Sequence, residues 1–166
     1  METFYIKNIK NLRQEKENLQ ERLDIKIFIE GRKVTIEGDA FQEYESSRVF
    51  WAIALGFSVK SALKLLGEDF VFRKIPIRNF TRRKNLKEVR ARLIGTEGKT
   101  RRTVEQVSGC DIIVDDKYVG LIGPAEEIET ASTSIVNLIK GSKQSNVYHY
   151  LEQSNTRKKF RTKGIV

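Results

Sequence analysis

One cysteine, one histidine and two prolines are all that this chain of 166 residues holds of those types. Cys110 alone cannot close an internal disulfide, so the sequence reads as a reduced, cytoplasmic protein with that thiol filling a small core site. His149 has no second histidine and no cysteine pair to share a metal with, so no metal site is expected. The same scarcity removes the Ser/His/Asp and Cys/His sets of nucleophilic catalysis. Asp115 and Asp116 are adjacent on a turn and make a poor acid/base pair. No apolar run approaches roughly 18 residues, so nothing is expected to span a membrane. Charges interrupt the N-terminus from Lys7 onward, where a signal peptide needs an apolar stretch. Neither catalytic residues nor a cofactor are expected.

Positive charge, by contrast, is abundant and unevenly placed. The formal net charge is +9. Between Arg73 and Arg102 stand twelve Lys/Arg against only Glu88 and Glu97. Arg157, Lys158, Lys159, Arg161 and Lys163 add a second basic cluster, which leaves the rest of the chain net acidic. A charge run is usually a solvated face. This one surrounds the segment Leu93-Ile94-Gly95-Thr96-Glu97-Gly98-Lys99-Thr100-Arg101-Arg102, which is itself suited to meet phosphates.

In that segment two glycines frame a two-residue turn. Upstream, Leu86, Val89 and Leu93 recur on one helical face, and downstream Val104 and Val107 begin another that Gly109 can stop. A helix, a bare corner and a new helix N-terminus present backbone N–H groups with no side chain in the way, a geometry that suits a phosphate. Strands are predicted over 110–114 and 117–122 around an Asp115-Asp116 turn. Gly123-Pro124 then opens a helix whose buried stripe is Ile128, Ala131, Ile135 and Leu138. Helix, G-x-x-G, helix, strand, strand, helix is the order of the KH module, whose loop clamps the backbone of about four single-stranded nucleotides.

The chain also repeats itself. Val34, Gly38, Ala40 and Gly56 reappear 85 positions on as Val119, Gly123, Ala125 and Gly141. Ile27, Ile29 and Ile36 reappear as Ile112, Val114 and Leu121 without a gap. Two copies of one module is the economical reading. At the place of the glycine corner the first copy has Lys10, Asn11, Leu12 and Arg13, so it is expected to keep the architecture and lack the clamp. The first copy is predicted to hold a strand over 4–6, a helix over 12–23, strands over 25–29 and 33–36, and a helix over 40–55. The end of that last helix, from Val49 to Leu55, is apolar all round and is read as packing between modules, the alternative being a docking surface for a protein partner anchored by Trp51. A further helix opens at Ser58 and closes at Gly67, and 70–77 reads as the first strand of the second copy. The expected organisation is a degenerate module over 1–69, an RNA-binding module over 70–152, and a basic tail over 153–166, partly disordered until bound.

Taken together, these residues resemble the archaeal and eukaryotic pre-ribosomal tandem-KH proteins, the small-subunit assembly factors that partner the Nob endonuclease. The resemblance rests on Ile94-Gly95 with Gly98-Lys99-Thr100-Arg101-Arg102, on Gly56-Phe57-Ser58, on the strand from Val119 to Gly123, and on Gly141-Ser142 followed by Val147-Tyr148 and Leu151. The KRR-box KH proteins, a sister group, are similar at Arg92-Leu93-Ile94-Gly95 and Ile122-Gly123-Pro124. The resemblance implies an α+β fold of two tandem type I KH domains, each a three-stranded antiparallel sheet with helices on one face. It implies binding of single-stranded ribosomal RNA near the 3′ end of the small-subunit rRNA, within the pre-small-subunit particle, and contact with the Nob-type endonuclease by a monomer. Family loops often carry a basic residue where this chain has Thr96, which shifts the electrostatics onto Lys99, Arg101 and Arg102.

The expected RNA-binding set is Arg92, Ile94, Gly95, Thr96, Glu97, Gly98, Lys99, Thr100, Arg101, Arg102, Ile112, Ile113 and Val114. The glycines admit the RNA backbone, the cations neutralise it, and Ile94 with the strand 112–114 forms an apolar floor for bases. An ATPase reading of Gly98-Lys99-Thr100 fails, because Leu93 stands where a P-loop has its first glycine and a basic helix precedes the loop. The remaining alternative is a protein-binding scaffold with little RNA affinity.

Overall fold

The computed structural model describes residues 1–162, with side chains described through Lys158. The chain divides into two compact units, Met1–Phe72 and Arg73–Val166. The first runs β1 (Glu2–Tyr5), α1 (Ile9–Leu23), β2 (Lys26–Glu30), β3 (Lys33–Glu37), α2 (Ala40–Leu55) and α3 (Val59–Leu63), the last continued by a 3-10 turn, Lys64–Leu66. β3 is the central strand, antiparallel to β1 on one side and β2 on the other. Phe4, Ile27, Val34 and Ile36 are all buried, as period-two alternation requires of one sheet face. Phe50 of α2 lies 5.4 Å from Phe4, ring centre to ring centre, and Trp51 sets an edge on the same ring at 5.1 Å. The apolar end of α2 thus packs on its own sheet, and Trp51 stays half exposed. α2 starts where it does because Asp39 and Gln42 form a reciprocal capping box. Asp39 Oδ1 accepts from the Gln42 N–H at 2.8 Å, and Gln42 Oε1 accepts from the Asp39 N–H at 2.9 Å.

The second unit is entered through β4 (Phe70–Pro76) and continues as α4 (Leu86–Ile94), α5 (Lys99–Ser108), β5 (Asp111–Val114), β6 (Tyr118–Pro124), α6 (Ala125–Lys140) and α7 (Gln144–Thr162). Its strands lie in the order β4-β6-β5, with β5 at an edge. Leu93, Val104, Leu121, Ile135 and Leu138 are buried in its core. Cys110 is buried there too, and its burial pushes the thiol up to about 11. Among the described residues no helix is long and apolar enough to cross a membrane, and no group of three metal-binding side chains exists.

The 85-residue step recurs in the fold. β2 and β5, β3 and β6, α2 and α6, and α3 and α7 each begin 85 positions apart. The pairs Ile27–Ile36 and Ile29–Val34 in one sheet become Ile112–Leu121 and Val114–Val119 in the other. Two expectations need correction. The helix predicted over 12–23 begins earlier, at Ile9, so positions 10–13 lie inside α1, one unbroken helix. The chain beyond Tyr150 is not irregular through Thr162, because α7 continues there. It is held by buried Val147 and Leu151, by Asn155 Nδ2 donating to the Val107 carbonyl at 2.6 Å, and by Lys158 Nζ on the Glu126 carbonyl and the Glu127 carboxylate. Lys163, counted in the basic tail, lies outside the described residues.

Candidate nucleic-acid interface

The corner between α4 and α5 is built by backbone conformations that side chains resist. α4 starts at Asn85, whose Oδ1 accepts from the Lys87 N–H at 3.0 Å, and stops at Gly95, where φ turns to +76°. Glu97 follows at φ +55° and Gly98 at +75°, after which α5 begins. The two glycines are needed for different reasons. A Cβ on Gly95 would stand 2.3 Å from Thr100 Oγ1 and 2.8 Å from the Thr100 nitrogen, so nothing larger fits. A Cβ on Gly98 would meet nothing closer than Arg101 Nη2 at 3.8 Å, so that position is open to an approaching ligand. Gly98 is also the N-cap of α5 and has no side chain to satisfy the first-turn N–H groups. The first turn of this ten-residue helix therefore carries the positive end of the helix dipole without a side-chain cap.

The cations around this corner fall into two classes. Lys99 and Arg102 are exposed, and the side chain of neither has an ion pair or hydrogen bond among the described residues. The others are engaged. Arg101 Nη1 lies 2.7 Å from Glu105 Oε1, and Glu105 Oε2 accepts from the Ile112 N–H of β5 at 3.1 Å. Arg92 Nη2 donates to the Ser142 carbonyl at 2.9 Å. Arg90 Nη1 pairs with Asp116 at 2.7 Å, tying α4 to the β5–β6 turn. Charge counted from sequence therefore overstates what is free to meet phosphate.

Of the remaining expected residues, Thr96 and Glu97 are exposed on the turn, and Ile94 is 37% exposed beside it. Ile113 and Val114 are half-buried on β5. Two residues do not belong to the surface. Ile112 is 4% exposed and points into the core, because alternation along β5 puts it there. Thr100 is 3% exposed, and its hydroxyl accepts from Gln144 Nε2 at 3.0 Å. Gln144 and Tyr148, absent from the expected set, join Arg92, Gly95, Thr96, Lys99 and Thr100 around a cleft of about 400 Å³. Helix α6 stops at Gly141, which is the signal that the chain doubles back, but nothing local says where α7 then lands.

Residues 71–156 match the model of the second KH domain of the PNO1 family, a eukaryotic type KH domain (KH-domain type I). That match covers just over half of the chain. The chain belongs to the PNO1/Dim2 family of KH proteins. A KH domain-containing protein of Methanocaldococcus jannaschii is 28% identical over 145 residues, 83% of this chain and 64% of the relative. The pre-rRNA-processing protein PNO1 of Gibberella zeae is 31% identical over 149 residues, 86% of this chain and 58% of the relative. The chain therefore spans less than two thirds of the length of these relatives. Among solved structures, Dim2p of Pyrococcus horikoshii is 32% identical, with a TM-score of 0.80 over 92% of this chain and 99% of that one. A chain of the crystal structure of an a/eIF2α–aDim2p–rRNA complex from the same organism is 31% identical, with a TM-score of 0.82 over 94% of both. In this KH protein the G-x-x-G corner is Gly95 to Gly98, within the matched residues.

Proposed function

We propose that this protein binds single-stranded RNA through the corner of its second unit and serves as a small-subunit ribosome assembly factor. In this reading the RNA is pre-rRNA near the 3′ end of the small-subunit rRNA, held within the pre-small-subunit particle. The same reading has the protein act as a cytoplasmic monomer and meet the Nob-type endonuclease, which rests on family resemblance alone. It treats 1–69 as a KH module without a clamp, 70–152 as the RNA-binding module and 153–166 as a basic extension. The observation that carries it is the open approach to Gly98, in front of an uncapped helix N-terminus with Lys99 and Arg102 unpaired beside it. Relatives named for pre-rRNA processing and a similar structure solved with rRNA agree in kind.

Each group has a stated task. The first-turn N–H groups of α5 hold a phosphate, while Lys99 and Arg102 neutralise the backbone. Ile94 and Ile113 offer apolar contact to bases. Arg101 contributes once it lets go of Glu105. Gly98→Asp tests this directly: the site has room for the side chain, and aspartate tolerates the left-handed conformation. A carboxylate there is expected to weaken short single-stranded RNA by about tenfold to a hundredfold in an anisotropy titration, with the melting temperature little changed. Undiminished affinity would sink the proposal. In the wild type, log affinity is expected to fall with log salt at roughly 0.7 per phosphate contacted. A flat dependence would favour the second reading, a protein-binding scaffold. That reading draws on the first unit, which has no corner and exposes Tyr5, Phe28, Phe41 and Tyr44.

A further inference from the structure

The two flanks of the α5 N-terminus differ in what they offer to an RNA strand beyond the corner. On the β5 flank the cation is spent: Arg101 is paired with Glu105, and Glu105 also covers the Ile112 N–H. An incoming phosphate there meets a carboxylate. On the other flank, toward α7, lies the cleft of about 400 Å³, within the size range of small-ligand pockets. Lys99, whose ammonium is unpartnered among the described residues, lines it, and so does the half-buried ring of Tyr148. Gln144 lines it as well. The Gln144 amide donates to Thr100 Oγ1 at 3.0 Å and reaches the Arg92 carbonyl at 3.5 Å, joining the first turn of α7 to both helices of the corner. The Arg92 guanidinium adds a third tie through the Ser142 carbonyl.

We propose that this cleft is a nucleotide subsite: the nucleotide adjoining the one gripped by the corner places its base against Tyr148 and its phosphate at Lys99. The inference rests on the RNA-binding reading above and adds a direction to it, from the corner toward α7. A positive side chain and an aromatic ring lining one cleft match the two parts of a nucleotide, a charged backbone and a stacking base. The ring accepts any base by its π-face, so the subsite adds length dependence more than sequence preference.

The test uses the chain of 166 residues and randomised single-stranded oligoribonucleotides, from about four nucleotides, the reach of the corner alone, to about eight. Affinity is read by anisotropy for the wild type and for Tyr148→Ala, Tyr148→Phe and Gly98→Asp. Lengthening the RNA is expected to tighten wild-type binding by about tenfold, the scale of one stacked base. Tyr148→Phe should keep that gain, since it keeps the ring. Tyr148→Ala should lose it while binding the shortest RNA like the wild type. A full gain in Tyr148→Ala overturns the subsite, and so does an equal loss at every length, which would mark Tyr148 as a support of the corner. Those outcomes leave the RNA-binding reading standing, provided that Gly98→Asp weakens every length. If Gly98→Asp changes nothing, both fall.

Discussion

The two units are built on one framework and differ where chemistry could occur. From β2 onward their elements begin at a constant spacing, and the strand pairs share a register. Even a side-chain clamp is repeated. Gln20 Oε1 accepts from the Ile27 N–H at 3.0 Å, and 85 positions later Glu105 Oε2 accepts from the Ile112 N–H at 3.1 Å. Yet α1 is one unbroken helix, while the second unit inserts α4 and a glycine corner ahead of α5. Charge follows the corner. Residues 1–72 hold eleven Lys/Arg and twelve Asp/Glu, and residues 73–166 hold twenty and ten. The framework is thus independent of the site: sheet and packed helices persist without the corner, and the cations gather only where the corner exists.

The largest effect expected from breaking this comparison lies in the shared framework. Ile36 and Leu121 occupy the same register position and are fully buried. Ile36→Ala and Leu121→Ala should each cost about 2–5 kcal/mol, by lost transfer energy and a residual cavity. Hydrogen exchange of β3 amides in one variant and β6 amides in the other reads the cost unit by unit. If one falls in that range and the other costs less than about 1 kcal/mol, the frameworks are not equally packed. The next effect belongs to the corner. Gly95→Ala combines a left-handed backbone with a Cβ 2.3 Å from the Thr100 hydroxyl, and is expected to lose about 1–3 kcal/mol or more. Its counterpart by spacing, Lys10→Ala, sits exposed within α1 and should stay within about 0.5 kcal/mol. Thermal melts of the two side by side decide whether the corner is a strained feature peculiar to the second unit.

What could be read from residues alone followed the range of the forces involved. Period-two and period-3.6 burial are local, so β3, α2 and β5 are readable nearly to the residue, with Gly109 as punctuation. The corner was readable because glycine is the residue that a left-handed turn selects. Three features were not. α1 starts at Ile9 rather than at Leu12 and runs unbroken through the positions that match the corner. α7 looks too polar to be ordered, and it holds by two buried side chains and by hydrogen bonds to α5 and α6. Arg101 reads as a free cation, yet its partner is set by the helical step to Glu105 and by what Glu105 does for β5. Bonds from side chains to backbone across tens of residues leave no periodic trace.

The smallest expected effect sharpens the comparison most. Glu105→Gln gives the second unit the side chain that the first unit uses at the same place, Gln20. The amide oxygen keeps the bond from the Ile112 N–H, so β5 keeps its clamp. The ion pair with Arg101 goes, and because both side chains are partly exposed, it should cost no more than about 1 kcal/mol in a thermal melt. Binding should move the other way. Removing the carboxylate frees Arg101 beside the corner, so affinity for single-stranded RNA should rise severalfold, and the log–log salt slope should steepen by roughly 0.7, the value of one added phosphate contact. A rise without a steeper slope would mean that Glu105 merely repelled the RNA at a distance. A fall in affinity would mean that the Arg101–Glu105 pair holds the corner in its binding shape, and the β5 flank, silent in the first unit, would then be a working part of the second.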